Sequence, residues 1–182
     1  ILSSSIEILG NRMMQRWKSS IAVFVFVIVF DQITKWWALE ELGSGRVVEI
    51  FWTLQFRLVR NTGIAFSQGE GLGPIFAVLI VIVVLFVVRW GTQMQSKFTP
   101  LAVGLIVGGA IGNLIDRAFR SDAGFLKGGV VDFVDLQWWP VFNIADAAIV
   151  VGGVMMFWLG LKSAQEVPED SDISDSISDL HE

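Results

Sequence analysis

A few polar side chains sit in or beside long apolar runs: Asp31 and Lys35, then Asn113, Asp116 and Arg117, then Asp132, Asn143 and Asp146. An ionised side chain at the centre of a bilayer costs roughly 2.5–3.5 kcal/mol on insertion scales. Residues that costly need a structural partner or a chemical task. The chemistry open to them is narrow. The chain has no cysteine and no tyrosine, and its one histidine is His181 in the polar tail. A cysteine nucleophile, a Ser-His-Asp triad and an HExxH zinc site are therefore excluded. Carboxylates remain. Two of them close together titrate as a pair, one keeping a proton while its partner stays ionised. Such a pair activates water against an amide, one carboxylate as base and the other as acid. Spacing alone leaves open which two of Asp116, Asp132 and Asp146 would pair.

The elements that must hold these groups read as membrane spans. About half of the 182 residues are apolar (53%), and the mean hydropathy is +0.62. That composition points to a multi-span membrane protein rather than a soluble domain. Spans are expected at about 21–39, 73–90, 99–119 and 141–162. Each is near the length that crosses a hydrocarbon core of about 30 Å. Pro74, Pro100 and Pro140 lie near the starts of three of them, where a missing N–H costs nothing. Span 2 has no charge between Pro74 and Arg89 and reads as scaffold. Span 3 carries Gly104, Gly108, Gly109 and Gly112, as close helix packing requires. Between spans 1 and 2, residues 40–72 alternate in Leu54, Phe56 and Leu58 against Gln55, Arg57 and Val59. That pattern predicts a small half-buried sheet on the membrane surface.

Residues 1–20 are expected to be a polar cytoplasmic segment, in part an upstream extension given the internal Met14. Residues 163–182 are expected to be a disordered acidic cytoplasmic tail. Four spans put both termini on one side. The three basic residues before span 1 and the two between spans 2 and 3 favour the cytoplasm for that side. Alternating spans then bring Asp31, Lys35, Asn61, Asn113, Asp116, Arg117, Asp132, Asn143 and Asp146 to the other face. Asp146 would lie about one turn, roughly 5 Å, inside its helix.

Taken singly, each residue has a bland reading. Asp31 and Lys35, four apart, make an ion pair that fixes packing. Asp116 looks like a carboxylate held ionised by Arg117 beside it. Asn143 and Asp146 have the spacing of a helix N-cap and its third residue. Asp132 reads as a solvated loop acid and Asn61 as a turn residue. The convergence of all of them at one interface exceeds what packing needs and favours a site.

These residues also carry a resemblance. DQITK (Asp31–Lys35), RNTGIAF (Arg60–Phe66), GGAIGNLIDR (Gly108–Arg117), VVDF (Val130–Phe133) and FNIAD (Phe142–Asp146), in this order, closely resemble bacterial lipoprotein signal peptidase, the signal peptidase II family. The resemblance covers about residues 21–162. It implies a mostly α fold of four transmembrane helices with a small extracytoplasmic β-sheet after the first span. It also implies an aspartic endopeptidase of the cytoplasmic membrane, active as a monomer without metal or organic cofactor. The substrates implied are prolipoproteins cleaved just before a diacylglyceryl-cysteine. Membrane lipid and globomycin-type inhibitors are the other implied partners, and nucleic acid is not one. By motif position the catalytic pair is Asp132 and Asp146. Asn61, Asn113, Arg117 and Asn143 support the pair and the substrate, and Asp31, Lys35 and Asp116 are structural. Asp135 is a second acid near the pair and lies outside this assignment. Two rivals come from other classes: a proton-coupled transporter, which needs polar residues through the full depth, and a structural subunit whose charges only hold helices together.

Overall fold

The computed structural model describes residues 2–62, 73–94, 96–120 and 124–165. The elements in order are α1 (Leu2–Leu42), β1 (Val48–Phe51), β2 (Leu54–Asn61), α2 (Gly73–Gln93), α3 (Thr99–Phe119), β3 (Val130–Asp135) and α4 (Ile144–Gln165). Asn61, expected in a turn, is instead the last residue of β2; Gly63, expected in the same turn, and the tail from Glu166 lie outside the described residues.

The α1 helix starts well before the expected boundary at residue 21. No proline precedes Pro74, and Gly10 is the only glycine before Gly43, so nothing local breaks the helix. It stops at Gly43, and Gly45 turns the chain with φ 86°.

In the 18-residue apolar stretch of each span, 67% is buried in α3, against 22% in Trp17–Leu42 and 22% in α4, so α3 is the central helix. Its glycines let its neighbours approach. A Cβ on Gly104 would stand 2.7 Å from the Ser20 carbonyl oxygen, and one on Gly108 2.9 Å from Val27 Cβ. On the α4 side, a Cβ on Gly109 would collide with the Ala145 carbonyl oxygen. These two faces seat α1 and α4 against α3, as small residues do in membrane bundles. The α2 helix packs mainly on α3.

Trp17–Leu42, α3 and α4 are each long and apolar enough to cross a membrane, and the apolar stretch Ala77–Gln93 of α2 is shorter. Large apolar side chains cover the outer faces, among them Phe26 and Ile33 on α1, Ile82 and Phe86 on α2, and Val154 and Phe157 on α4. Exposed apolar bands of this extent mark a surface that meets lipid, and the chain is a multi-pass membrane protein.

The sheet is larger than the expected one. Its order is β1-β2-β3, antiparallel throughout. The third strand comes from the connection between α3 and α4 and pairs with β2 in the register Val59↔Asp132 and Asn61↔Val130. The sheet docks on the end of α1. There Ala38, Leu42, Val131 and Phe133 form a buried cluster, and the rings of Trp37, Phe56 and Phe133 meet edge to face. The α4 helix begins at Ile144 rather than Val141, because Phe142 is still bridged to Val134 and Asn143 caps the helix.

Candidate active site

The end of α3, the start of α4, the last turns of α1 and strand β3 meet at one end of the bundle. Each brings charged or amide side chains out of the apolar run. Lys35, fully buried on α1, stands at the back. Its ammonium lies 2.9 Å from Asp31 Oδ2, 2.9 Å from Asp116 Oδ2 and 2.9 Å from Asn113 Oδ1. An ammonium has three donors, and all three are used.

The expected pairing of Asp116 with Arg117 is not what the structure shows. Asp116 pairs with Lys35 and with Arg120, whose Nε lies 3.0 Å from Asp116 Oδ1. Arg120 is one turn along the helix, whereas adjacent residues point about 100° apart. Arg117 is turned toward the cleft. It donates to the Asn113 carbonyl at 3.3 Å.

Asn143 and Asp146 form a reciprocal cap on α4. The Asp146 backbone N–H donates to Asn143 Oδ1 at 2.9 Å, and the Asn143 N–H donates to Asp146 Oδ2 at 3.1 Å. The expected capping spacing is therefore real, but the residues do more. Asn143 Nδ2 donates to Asp132 Oδ1 at 2.6 Å, Asn61 Nδ2 to Asp132 Oδ2 at 3.0 Å, and Asn113 Nδ2 to Asp146 Oδ1 at 2.8 Å. The amide orientations follow from chemistry. The Asn113 atom facing Lys35 must be oxygen, because an ammonium only donates. The Asn143 atom facing the Asp146 N–H must be oxygen for the same reason. Both amides therefore turn their N–H groups to the carboxylates.

Asp132 is 1% exposed. Its pKa is pushed up to about 6, chiefly by burial; the Asn61 hydrogen bond opposes the shift, and the nearby charge of Asp146 adds to it. Asp135 behaves oppositely. Hydrogen bonds from Gln55 and Arg57 hold its carboxyl below the usual range. Three residues apart on one strand, Asp132 and Asp135 point to opposite faces, so Asp135 belongs to a separate pair with Arg57.

Two residues not singled out in the sequence complete the back of the site. Gln32 donates to Asp116 Oδ1 at 3.2 Å and to the Gly112 carbonyl at 3.2 Å, and Arg120 donates to Gln32 Oε1 at 2.9 Å. The four-residue step from Asp116 was a signal for Arg120. An amide beside Asp31 inside an apolar run was the signal for Gln32.

A cavity of about 260 Å³ runs down from the polar cluster between α2, α3 and α4. Leu79, Ile80, Val83, Ile106, Ala110 and Ile149 form its apolar walls, and Asn113 and Arg117 its polar end. The expected scaffold helix α2 thus supplies one wall. Among the described residues no group of three or more His, Cys, Asp or Glu could hold a metal ion. Two carboxylates held by amides, one of which (Asn113) also lines the apolar cavity, can activate water against an amide bond.

Residues 23–162 match the signal peptidase (SPase) II family. The lipoprotein signal peptidase of Rhodococcus jostii is 43% identical over 136 residues, covering 74% of this chain and 68% of that protein. The Mycobacterium leprae protein of the same name is 38% identical over 148 residues, covering 81% and 73%. A bacterial membrane enzyme solved by the in meso method at 1.9 Å superposes with a TM-score of 0.67 at 30% identity, covering 79% of this chain and 92% of that one. A second, at 2.3 Å, gives a TM-score of 0.66 at 28% identity. With the match spanning every element that builds the cleft, the chain belongs to the signal peptidase II family.

Proposed function

We propose that this member of the signal peptidase II family is an aspartic endopeptidase whose dyad is Asp132 and Asp146, and that it cleaves diacylglyceryl-modified prolipoproteins just before the lipidated cysteine. The observation that carries this reading is Asn143, which holds both carboxylates at once. Its side chain is on Asp132 at 2.6 Å and its backbone N–H on Asp146 at 3.1 Å. Asp132, raised by burial, keeps the proton. Asp146 takes a proton from water, which attacks the scissile carbonyl. Asp132 then donates to the developing oxyanion, and its proton passes on to the leaving amine. Asn61, Asn113 and Arg117 orient the dyad and the substrate backbone. The apolar cavity receives the hydrophobic part of the substrate, which slides in from the bilayer beside α2.

The same reading sets the membrane frame. The α2 helix is the fourth span, both termini are cytoplasmic, and the site opens at the extracytoplasmic face of the bacterial inner membrane. Phe51 and Trp52 at the hairpin tip, and Trp138 and Trp139 before α4, are all more than half exposed. Aromatic side chains so placed suit the headgroup level and seat the sheet on the outer surface. The domain is residues 21–162, flanked by the N-terminal segment and the acidic tail.

Cleavage of a diacylglyceryl-modified prolipoprotein by the purified protein in detergent tests this. Asp132→Asn and Asp146→Asn are each expected to lose about 10²–10⁴-fold in kcat, the usual worth of positioned acid–base groups, while still unfolding cooperatively. Wild-type rates in either variant would remove that residue from the dyad.

A further inference from the structure

Lys35 is the largest fully buried side chain among the described residues, and the cleavage chemistry does not use it directly. A buried ammonium paired with carboxylates is often no more stabilising than apolar packing of the same volume. Its presence needs a reason, and its three bonds supply one when each is followed outward.

The first bond goes to Asp31 Oδ2 at 2.9 Å. The other oxygen of Asp31 accepts the backbone N–H of Ala145 at 3.0 Å, and Ala145 immediately precedes Asp146. The second bond goes to Asp116 Oδ2 at 2.9 Å. That oxygen also accepts the backbone N–H of Val131 at 3.0 Å, and Val131 immediately precedes Asp132. The third goes to Asn113 Oδ1, and the other end of that amide reaches Asp146 Oδ1 at 2.8 Å. Gly112 makes the arrangement possible, since a Cβ there would stand 2.7 Å from Asp31 Oδ2.

Strand β3 and helix α4 are thus gripped at matching points, one residue before each aspartate, by two carboxylates joined through a single ammonium. We infer that Lys35 is a positioning residue, and that the Asp31–Lys35–Asp116 bridge fixes the separation of Asp132 and Asp146. The inference rests on the dyad proposed above. The competing account is charge balance alone, in which Lys35 and Arg120 neutralise Asp31 and Asp116 and nothing more.

Kinetics and thermal unfolding separate the two accounts. The proteins are wild type, Lys35→Met, the double variant Lys35→Met/Asp116→Asn, and Asp132→Asn, each purified in detergent and given diacylglyceryl-modified prolipoprotein. In the double variant Asp31 and Arg120 still balance, and the amide oxygen at 116 can still accept the Val131 N–H. Lys35→Met is expected to lose about 100-fold in kcat, the scale of a misplaced catalytic group, with KM changed less than about threefold because the groove is untouched. The double variant is expected to regain the melting temperature but not kcat. If kcat returns together with stability, Lys35 only balances charge and the inference is overturned. If Lys35→Met does not fold, the double variant decides alone: low kcat in a folded protein supports the bridge, and wild-type kcat overturns it. Wild-type cleavage by Asp132→Asn would instead bring down the dyad. An inactive Asp132→Asn beside a fully active Lys35→Met would bring down the bridge and leave the dyad standing.

Discussion

At the scale of single residues, Asp132 carries the clearest consequence. Its carboxyl titrates near 6 in the fold, against an ordinary value of 3.8. Between those values the folded chain holds a proton that the unfolded chain has released. Its contribution to stability therefore falls as pH rises through that window, and above pH 6 the ionised, buried group costs the fold up to about 3 kcal/mol. Asp132→Asn is expected to melt above wild type at pH 7–8 and close to it near pH 4, as a melting series across pH would show. The same proton is needed for cleavage, so kcat/KM of the free enzyme should fall as pH rises through about 6. Asn61→Ala removes a hydrogen bond that favours the ionised form and should move this limb upward. A limb that stays in place would mean that some other group sets it. The polar cluster was legible because charges in or beside apolar runs stand out; the choice of Asp132 and Asp146 within it rested on the motif resemblance. The pairings within it were less legible: Asp116 seemed to belong to Arg117, its neighbour in sequence, but direction on a helix follows the turn, and Lys35 and Arg120 hold it instead.

At the scale of elements, the glycine face of α3 decides where α4 can start. Gly109→Ala would drive a Cβ into the Ala145 carbonyl, at the first turn that bears Asp146. A loss of about 1–3 kcal/mol is expected, as for other overpacked contacts, together with a fall in kcat. Gly153→Ala on α4 meets nothing within 4 Å and should melt and cleave like wild type. A comparison of the two variants checks that the close contact, and not glycine flexibility, is what matters. Three of the four expected spans and this small-residue face were readable from composition and spacing. Strand β3 was not, because its partner β2 lies some 70 residues away in sequence (Val59↔Asp132) and no local pattern encodes such a pairing. The extra length of α1 was missed because polarity ends a span, whereas only proline, glycine or a cap ends a helix.

At the scale of the whole molecule, the absence of cysteine from the chain makes the proposed orientation directly testable. Lys127, between α3 and β3, and Lys97, between α2 and α3, are both exposed. A membrane-impermeant maleimide applied to intact spheroplasts should label Lys127→Cys and should reach Lys97→Cys only after permeabilisation. The reverse pattern would invert the topology, and equal labelling of both would reject α3 as a span. The groove beside α2 gives this orientation its use, since a substrate anchored in the outer leaflet could enter without leaving the lipid. One residue links all three scales. Asn143 starts α4 through an oxygen that accepts an N–H, and holds Asp132 through a nitrogen that donates. Serine or threonine could start the helix but would fall short of the carboxylate. Aspartate could do so only by setting a third carboxyl group against the pair, and glutamine carries its amide one methylene too far. Among these five, asparagine alone meets both demands. Against those replacements the position is closed, since each gives up the helix start, the proton chemistry, or both.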